Sequence, residues 1–167
     1  MGLRDPWPAD EPRFARVAKQ MVESGQWLFP FRGGEIYPDK PPLFMWAIAL
    51  FYQLTGSMRI AFLLPSLLAG LGSLALFFDL SRRLWNPQTA FRAGLLLLFT
   101  VQFTIQAKLA QIDALLTFAV TLGLYGFMRF LLCGGEWRSY YLGWFAAGLS
   151  IITKGVGIIA ALVLIPA

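Results

Sequence analysis

Carboxylates and lysines that could do chemistry recur at the breaks between apolar segments of this chain. Asp10 and Glu11 are adjacent and open an amphipathic stretch, Lys40 lies within a proline-rich turn, and later breaks hold Asp113 and Lys154. The sequence contains no histidine, so any acid–base chemistry falls to carboxylates or lysine. Because lysine is a suitable point charge for phosphate, the pattern predicts a site for an anionic, lipid-linked substrate.

Four of these residues also have ordinary structural explanations. An aspartate at the position of Asp10 is a common N-cap, and Glu11 would favour the dipole of the following helix. A lysine such as Lys40 can snorkel at a membrane interface, and Lys154 can be an interface anchor. Local sequence alone leaves both interpretations open for each residue.

Asp113 lies in a short gap between two apolar segments. Burial of a carboxylate there costs free energy unless the group is paired or functional. Lys108, five residues earlier, is its candidate counter-ion. The alternative that Asp113 caps the next helix stays open. Two other residues near the ends of apolar segments, Asp79 and Cys133, are interpreted as structural.

The composition is that of an integral membrane protein, with 57% hydrophobic and only 14% charged residues. A soluble domain averages about 25% charged residues. The net charge of +5 does not indicate a nucleic-acid partner, because the basic residues lie between apolar runs, where topology determinants occur. The polar start without an anchor and the apolar run at the end predict a piece of a longer protein.

Apolar periodicity predicts an all-α, polytopic transmembrane bundle. Residues after Asp10 follow helical spacing up to Gly25, which indicates an amphipathic helix in the membrane interface. Residues 43–55 are too few for a span, which needs about 20 residues, so an interfacial or re-entrant helix is expected. The predicted spans are 60–80, 89–107, 114–132 and 138–153, with an incomplete span at 155–167.

Arginines flank two loops, at 82–92 and at 129–138, and the positive-inside rule makes both loops cytoplasmic. By parity, the segment 1–59, the gap 108–113 and the gap around 154 then lie outside the membrane. This topology requires that residues 43–55 do not cross. The candidate site residues are thereby predicted to share the outer face.

Four motifs, in order along the chain, carry a resemblance to a known family. Residues 10–15 are similar to the D-E-x-R-[YF]-A signature of bacterial polyprenyl-phosphate-sugar-dependent glycosyltransferases, and residues 40–43 resemble their K-P-P-L motif. Residues 111–115 and 149–157 extend the match, the latter resembling L-T-K-G-x-x-G. This group includes the aminoarabinose transferase that acts on lipid A and, more distantly, the protein O-mannosyltransferases.

The resemblance implies a GT-C fold in the bacterial inner membrane, with interfacial helices in a first outer loop and the active face in the periplasm. It implies that Asp10 is the catalytic carboxylate with Glu11 beside it, and that Asp113 is a second active-site carboxylate. Lys40 would contact the phosphate of the lipid carrier. Further substrate-binding roles are expected for the basic residues Arg13, Lys108 and Lys154.

The implied reaction moves a sugar from an undecaprenyl-phosphate carrier to lipid A, another glycan or a protein, with inversion. No cofactor is required, although Asp10 and Asp113 offer oxygen ligands that suit a divalent cation. Two rival interpretations stay open. One is a transporter, since membrane carboxylates and lysines also mark ion pathways, and the other is a non-catalytic remnant or accessory protein.

Overall fold

The computed structural model describes residues 11–32, 35–36, 40–134, 136–156, 161–162 and 164–165. Across these residues the chain forms eight α-helices and one short antiparallel ribbon. The ribbon joins β1 (Phe31–Arg32) to β2 (Glu35–Ile36). The helices are α1 (Glu11–Ser24), α2 (Leu43–Thr55), α3 (Met58–Ala61), α4 (Leu64–Leu84), α5 (Pro87–Phe99), α6 (Val101–Lys108), α7 (Ile112–Leu132) and α8 (Trp137–Lys154). The predicted helical fold is confirmed, and the two-residue strands are an addition to it.

The amphipathic helix α1 packs its apolar face against protein. It ends before Gly25, whose φ of +69° lies in the left-handed region that suits a helix terminus. Its apolar residues are buried, and the rings of Phe14 and Phe44 meet edge to face with centroids 5.5 Å apart. Helix α1 is therefore fixed on α2.

The main cluster of buried apolar side chains lies at one end of the bundle, beneath α1 and α2. It includes the residues just before α4, Phe62 and Leu63, and two residues at the entry to α7, Ala110 and Ile112. The largest side chains in it that are fully buried are Phe44, Phe62, Met21, Met45, Ile48 and Val17. Burial of this apolar area holds the short helices against the beginnings of α4 and α7.

In the described part of the chain, two segments are long and apolar enough to cross a membrane, Met58–Leu84 and Ile112–Leu132. Only 39% and 28% of their most apolar stretches are buried, so most of their apolar surface faces outward, as a lipid-facing helix requires. Helix α8 has 18 residues, but the charged residues near its two ends, Arg138 and Lys154, lower its mean hydropathy. Its predicted role as a span stays a prediction.

The segment predicted as one continuous span, 89–107, is instead broken at Thr100. Helices α5 and α6 are bent by 67° relative to each other, and together they are apolar enough for one span. The hydroxyl of Thr100 donates to the Leu96 carbonyl at 3.0 Å, and that of Thr104 donates to the Leu98 carbonyl at 2.6 Å. These bonds satisfy carbonyl groups at the break, which makes it tolerable in a membrane.

The end of the bundle opposite the main buried cluster carries arginines, and we call it the arginine end (Arg82, Arg83, Arg129). Tyr125 of α7 donates a hydrogen bond to Asp79 of α4 at 2.8 Å, and Arg82 and Arg83 pair with the same carboxylate. Arg129 donates to the Tyr125 hydroxyl at 3.1 Å. Asp79 therefore ties α4 to α7, which agrees with its interpretation as structural.

Candidate active site

Side chains from four parts of the chain line a small cleft at the end opposite the arginine end. The cleft encloses about 80 Å³. Its lining residues are Phe14, Lys40, Gln111, Ile112, Asp113 and Lys154. The cleft thus brings together α1, the segment just before α2, the start of α7 and the end of α8. Three of the charged residues that the sequence singled out meet in this cleft.

Asp113 and Lys154 form an ion pair across the cleft. The Lys154 ammonium nitrogen lies 2.5 Å from Asp113 Oδ1, although the two residues are 41 positions apart. The predicted counter-ion, Lys108, is therefore not the cation that holds this carboxylate. Lys108 ends α6 and lines a separate apolar groove with Leu98, Phe99 and Ile105, and its predicted substrate-binding role stays a prediction.

Asp113 is not the N-cap of α7, because Gln111 holds that position and Asp113 lies inside the first turn. A carboxylate in the first turn is favoured by the helix dipole, and its side chain is left to meet Lys154. The packing of α8 along α7 brings the last residue of one helix to the first turn of the other. The pair therefore depends on tertiary packing and not on local sequence.

Lys40 is half-buried and lies in the cleft, just before α2. Among the described residues that line the cleft, Lys40 and Lys154 set two cations against the carboxylate of Asp113. The positive charge in excess among these described side chains favours an anion. A lysine that only snorkelled toward water would not need to line a cleft.

Arg13 lies beside the cleft, with its guanidinium carbon 5.4 Å from the centroid of the Phe14 ring. This is a cation–π distance, and it holds the cation against one of the lining side chains. The predicted substrate-binding role of Arg13 stays a prediction.

Glu11 is buried, with only 4% of its surface exposed. Its carboxylate accepts a hydrogen bond from the backbone N–H of Ala110, with the two atoms 2.8 Å apart. Glu11 thus contacts the segment that leads into α7, in addition to standing in the first turn of α1. Asp10, the predicted catalytic carboxylate, lies outside the described residues.

The described part of the chain contains no group of three or more carboxylates or thiols placed to hold a metal ion. Since Asp10 is not in that part, the divalent cation proposed between Asp10 and Asp113 stays a prediction.

Sequence reasoning missed two residues that shape the cleft. Gln111 lines it, and the Gln111 backbone N–H donates to the hydroxyl of Ser66 at 3.3 Å. Ser66 is fully buried in the first turn of α4. The signal for Ser66 was a hydroxyl next to a proline inside an apolar run, a pattern that also fits an ordinary helix start.

The sequence profile described as dolichyl-phosphate-mannose-protein mannosyltransferase matches residues 39–166. The chain is 32% identical over 154 residues to an undecaprenyl phosphate-alpha-4-amino-4-deoxy-L-arabinose arabinosyl transferase of Pseudomonas aeruginosa (strain UCBPP-PA14), covering 89% of this chain and 28% of that protein. It is 30% identical over 156 residues to an uncharacterized protein of Aquifex aeolicus, covering 93% of this chain and 31% of the relative. The chain thus spans less than a third of these relatives.

Two crystal structures of ArnT from Cupriavidus metallidurans share this fold. The structure bound to undecaprenyl phosphate matches with a TM-score of 0.87 and 26% identity, over 94% of this chain and 30% of ArnT. The apo structure matches with a TM-score of 0.86 and 26% identity, over 93% of this chain and 30% of ArnT. The profile covers most of the chain, and the fold agrees with it. This chain belongs to the dolichyl-phosphate-mannose-protein mannosyltransferase family, whose GT-C membrane fold it shares.

Proposed function

We propose that this chain forms part of a membrane glycosyltransferase that moves a sugar from an undecaprenyl-phosphate carrier to an acceptor such as lipid A, another glycan or a protein. The observation that carries the proposal is the cleft in which Lys40, Asp113 and Lys154 meet. The same fold occurs in an ArnT structure bound to undecaprenyl phosphate, and a similar Pseudomonas protein is named as an arabinosyl transferase.

The proposed donor is already activated, because the lipid phosphate is the leaving group. Transfer breaks the bond between the anomeric carbon and the phosphate oxygen and forms a bond from that carbon to the acceptor, with inversion. Negative charge grows on the departing phosphate, and a cation placed beside it stabilises the transition state. Lys40 is assigned this role because it supplies an ammonium group within the cleft.

Asp10 is the proposed base that takes the proton of an acceptor hydroxyl, which makes the oxygen a better nucleophile. Asp113 is the second carboxylate, and Lys154 is held against it. The pair presents a second cation to an anionic donor while holding the Asp113 side chain in place.

The proposed location is the bacterial inner membrane, with the cleft on the periplasmic side and the arginine end in the cytoplasm. The structure supports this by separating the two sets of charges to opposite ends of the bundle. A lipid-linked donor fits such a site, since its phosphate reaches the cleft while its chain stays in the bilayer.

The test is donor-dependent transfer by the full-length protein in proteoliposomes, with undecaprenyl-phosphate aminoarabinose as donor and lipid A as acceptor. We expect Asp10→Asn to fold normally, because asparagine caps helices about as well as aspartate, and to lose transfer. We expect Lys40→Arg to raise the KM for the donor, because charge is kept and geometry changes.

Retained turnover in Asp10→Asn would remove the assignment of the base. An unchanged KM in Lys40→Arg would favour a snorkelling lysine. Transfer to a peptide acceptor but not to lipid A would keep the reaction and change the acceptor. No transfer from the donor to lipid A, a glycan or a peptide would contradict the proposed function.

A further inference from the structure

We infer that Glu11 is a positioning residue: its buried carboxylate fastens α1 to the segment that leads into Asp113. The inference rests on the proposed function, since it says what Glu11 does for the proposed reaction. It replaces the catalytic role that the sequence motif implied for this side chain.

The contact joins two parts of the chain that are 99 residues apart. Glu11 and Ala110 are both buried, with 4% and 0% of their surfaces exposed. A carboxylate that accepts an N–H makes a charge-assisted hydrogen bond, which is about twice as strong as a neutral one. Its removal would leave the Ala110 N–H buried without this acceptor, which is costly.

A second contact holds the neighbouring residue, Gln111. The Gln111 N–H donates to Ser66 Oγ at 3.3 Å, and the Ser66 hydroxyl lies 3.5 Å from the Gln111 carbonyl oxygen. We call Glu11, Ala110, Gln111 and Ser66 the Ala110 bracket. It ties α1 and α4 to the residue that caps α7, two positions before Asp113.

The contacts of Glu11 favour a positioning role over a catalytic one. Its carboxylate contacts a backbone amide, and Glu11 is not among the residues that line the cleft. The Asp113 and Lys40 side chains do line it, and they are carried by separate parts of the chain. Their spacing therefore depends on how α1, α4 and α7 are fastened together, and a misplacement of about 1 Å can cost about 100-fold in rate.

The discriminating experiment compares Glu11→Ala with Glu11→Gln in the full-length protein, with rates expressed per folded protein. Glutamine keeps the shape and an acceptor oxygen, so we expect it to retain most of the wild-type kcat. Alanine lacks the acceptor, and we expect kcat to fall about 100-fold with the KM for the donor nearly unchanged. Equal loss in both variants would overturn the inference and restore a catalytic carboxylate.

A second measurement, amide hydrogen exchange, tests the Ala110 bracket without depending on sugar transfer. In Glu11→Ala we expect faster hydrogen exchange at the Ala110 amide, and in Ser66→Ala at the Gln111 amide. The matched control is Glu23→Ala, which removes an exposed carboxylate from the same helix and should leave exchange and kcat unchanged.

Unchanged exchange at Ala110 in Glu11→Ala would overturn the bracket. If the wild-type protein lacks transfer while Glu11→Ala still exchanges faster at the Ala110 amide, the proposed function is contradicted and the Glu11–Ala110 contact stands. The two failures are therefore distinguishable.

Discussion

The ion pair between Asp113 and Lys154 is too exposed to be explained by stability. The side chain of Asp113 is 43% exposed and that of Lys154 is 40% exposed. Exposed ion pairs contribute about 0–1 kcal/mol to the free energy of unfolding. An ion pair that contributes so little to the free energy of unfolding has little effect on folding, which agrees with the role proposed for both side chains in the cleft.

Replacement of Lys154 by glutamine tests whether this cation matters for stability or for transfer. We expect the free energy of unfolding to change by less than about 1 kcal/mol. We expect transfer by the full-length protein to fall at least about tenfold, because each 1.4 kcal/mol of lost transition-state stabilisation costs that factor. Chemical denaturation and initial transfer rates measure the two quantities on the same preparation.

The matched control is Lys19→Gln, which removes an exposed pair on α1, where the Lys19 and Glu23 side chains are 3.6 Å apart. This control should change neither quantity. Normal transfer in Lys154→Gln would show that the cleft does not use this cation.

The sequence predicted that Lys40, Asp113 and Lys154 share one membrane face, and the structure brings them into one cleft. It did not predict which cation pairs with Asp113. Proximity along the chain favoured Lys108, whereas the actual partner depends on how α8 packs against α7. The contact of Glu11 could not be predicted from the sequence either. Its partner is the backbone amide of Ala110, which no side-chain type indicates.

At the scale of the elements, α7 and α8 are held together by close contact of their backbones. A Cβ atom added at Gly126 would lie 2.6 Å from the backbone nitrogen of Gly143 and 2.6 Å from the Ser139 carbonyl oxygen. Small residues allow such approach between helices in membranes. Because α7 carries Asp113 and α8 carries Lys154, the packing of these two helices positions the ion pair.

We therefore expect Gly126→Ala to force the two helices apart. Overpacking of this kind costs about 1–3 kcal/mol, so thermal unfolding of the purified protein should shift to lower temperature, and transfer should fall with it. Gly148→Ala is the control, because no described residue lies within 4 Å of a Cβ at that position on α8. Equal stability of the two variants would contradict the close helix contact.

The sequence predicted where helices begin and end better than it predicted where a long apolar helix breaks. The interfacial helix predicted over 43–55 has those bounds as α2, because an apolar run flanked by prolines and by Gly56 defines both ends. The break at Thr100 was missed, since apolar residues continue on both sides of it. Whether an apolar run forms one straight helix depends on the helices packed against it and on side-chain hydroxyls that hydrogen-bond to its backbone carbonyls.

At the scale of the whole molecule, the charged residues are divided between the two ends of the bundle. The cleft and the Ala110 bracket occupy one end, and the network around Asp79 occupies the other. The positive-inside rule predicts that the arginine end faces the cytoplasm. The segment from α1 to α2 then faces the periplasm, which is also where a lipid-linked donor would meet an outer-leaflet acceptor.

This orientation predicts the labelling of single cysteines in a full-length protein from which the native cysteines, including Cys133, have been removed. Gln53 on α2 and Gln88 on α5 are both exposed, and they lie at the cleft end and the arginine end respectively. In intact spheroplasts, a membrane-impermeant maleimide should label Gln53→Cys and leave Gln88→Cys unlabelled until the membrane is opened. Reaction at Gln88→Cys alone would invert the topology, and reaction at both would mean that no barrier lies between the two ends. Either result would contradict the prediction that the cleft lies on the periplasmic face, where the proposed transfer takes place.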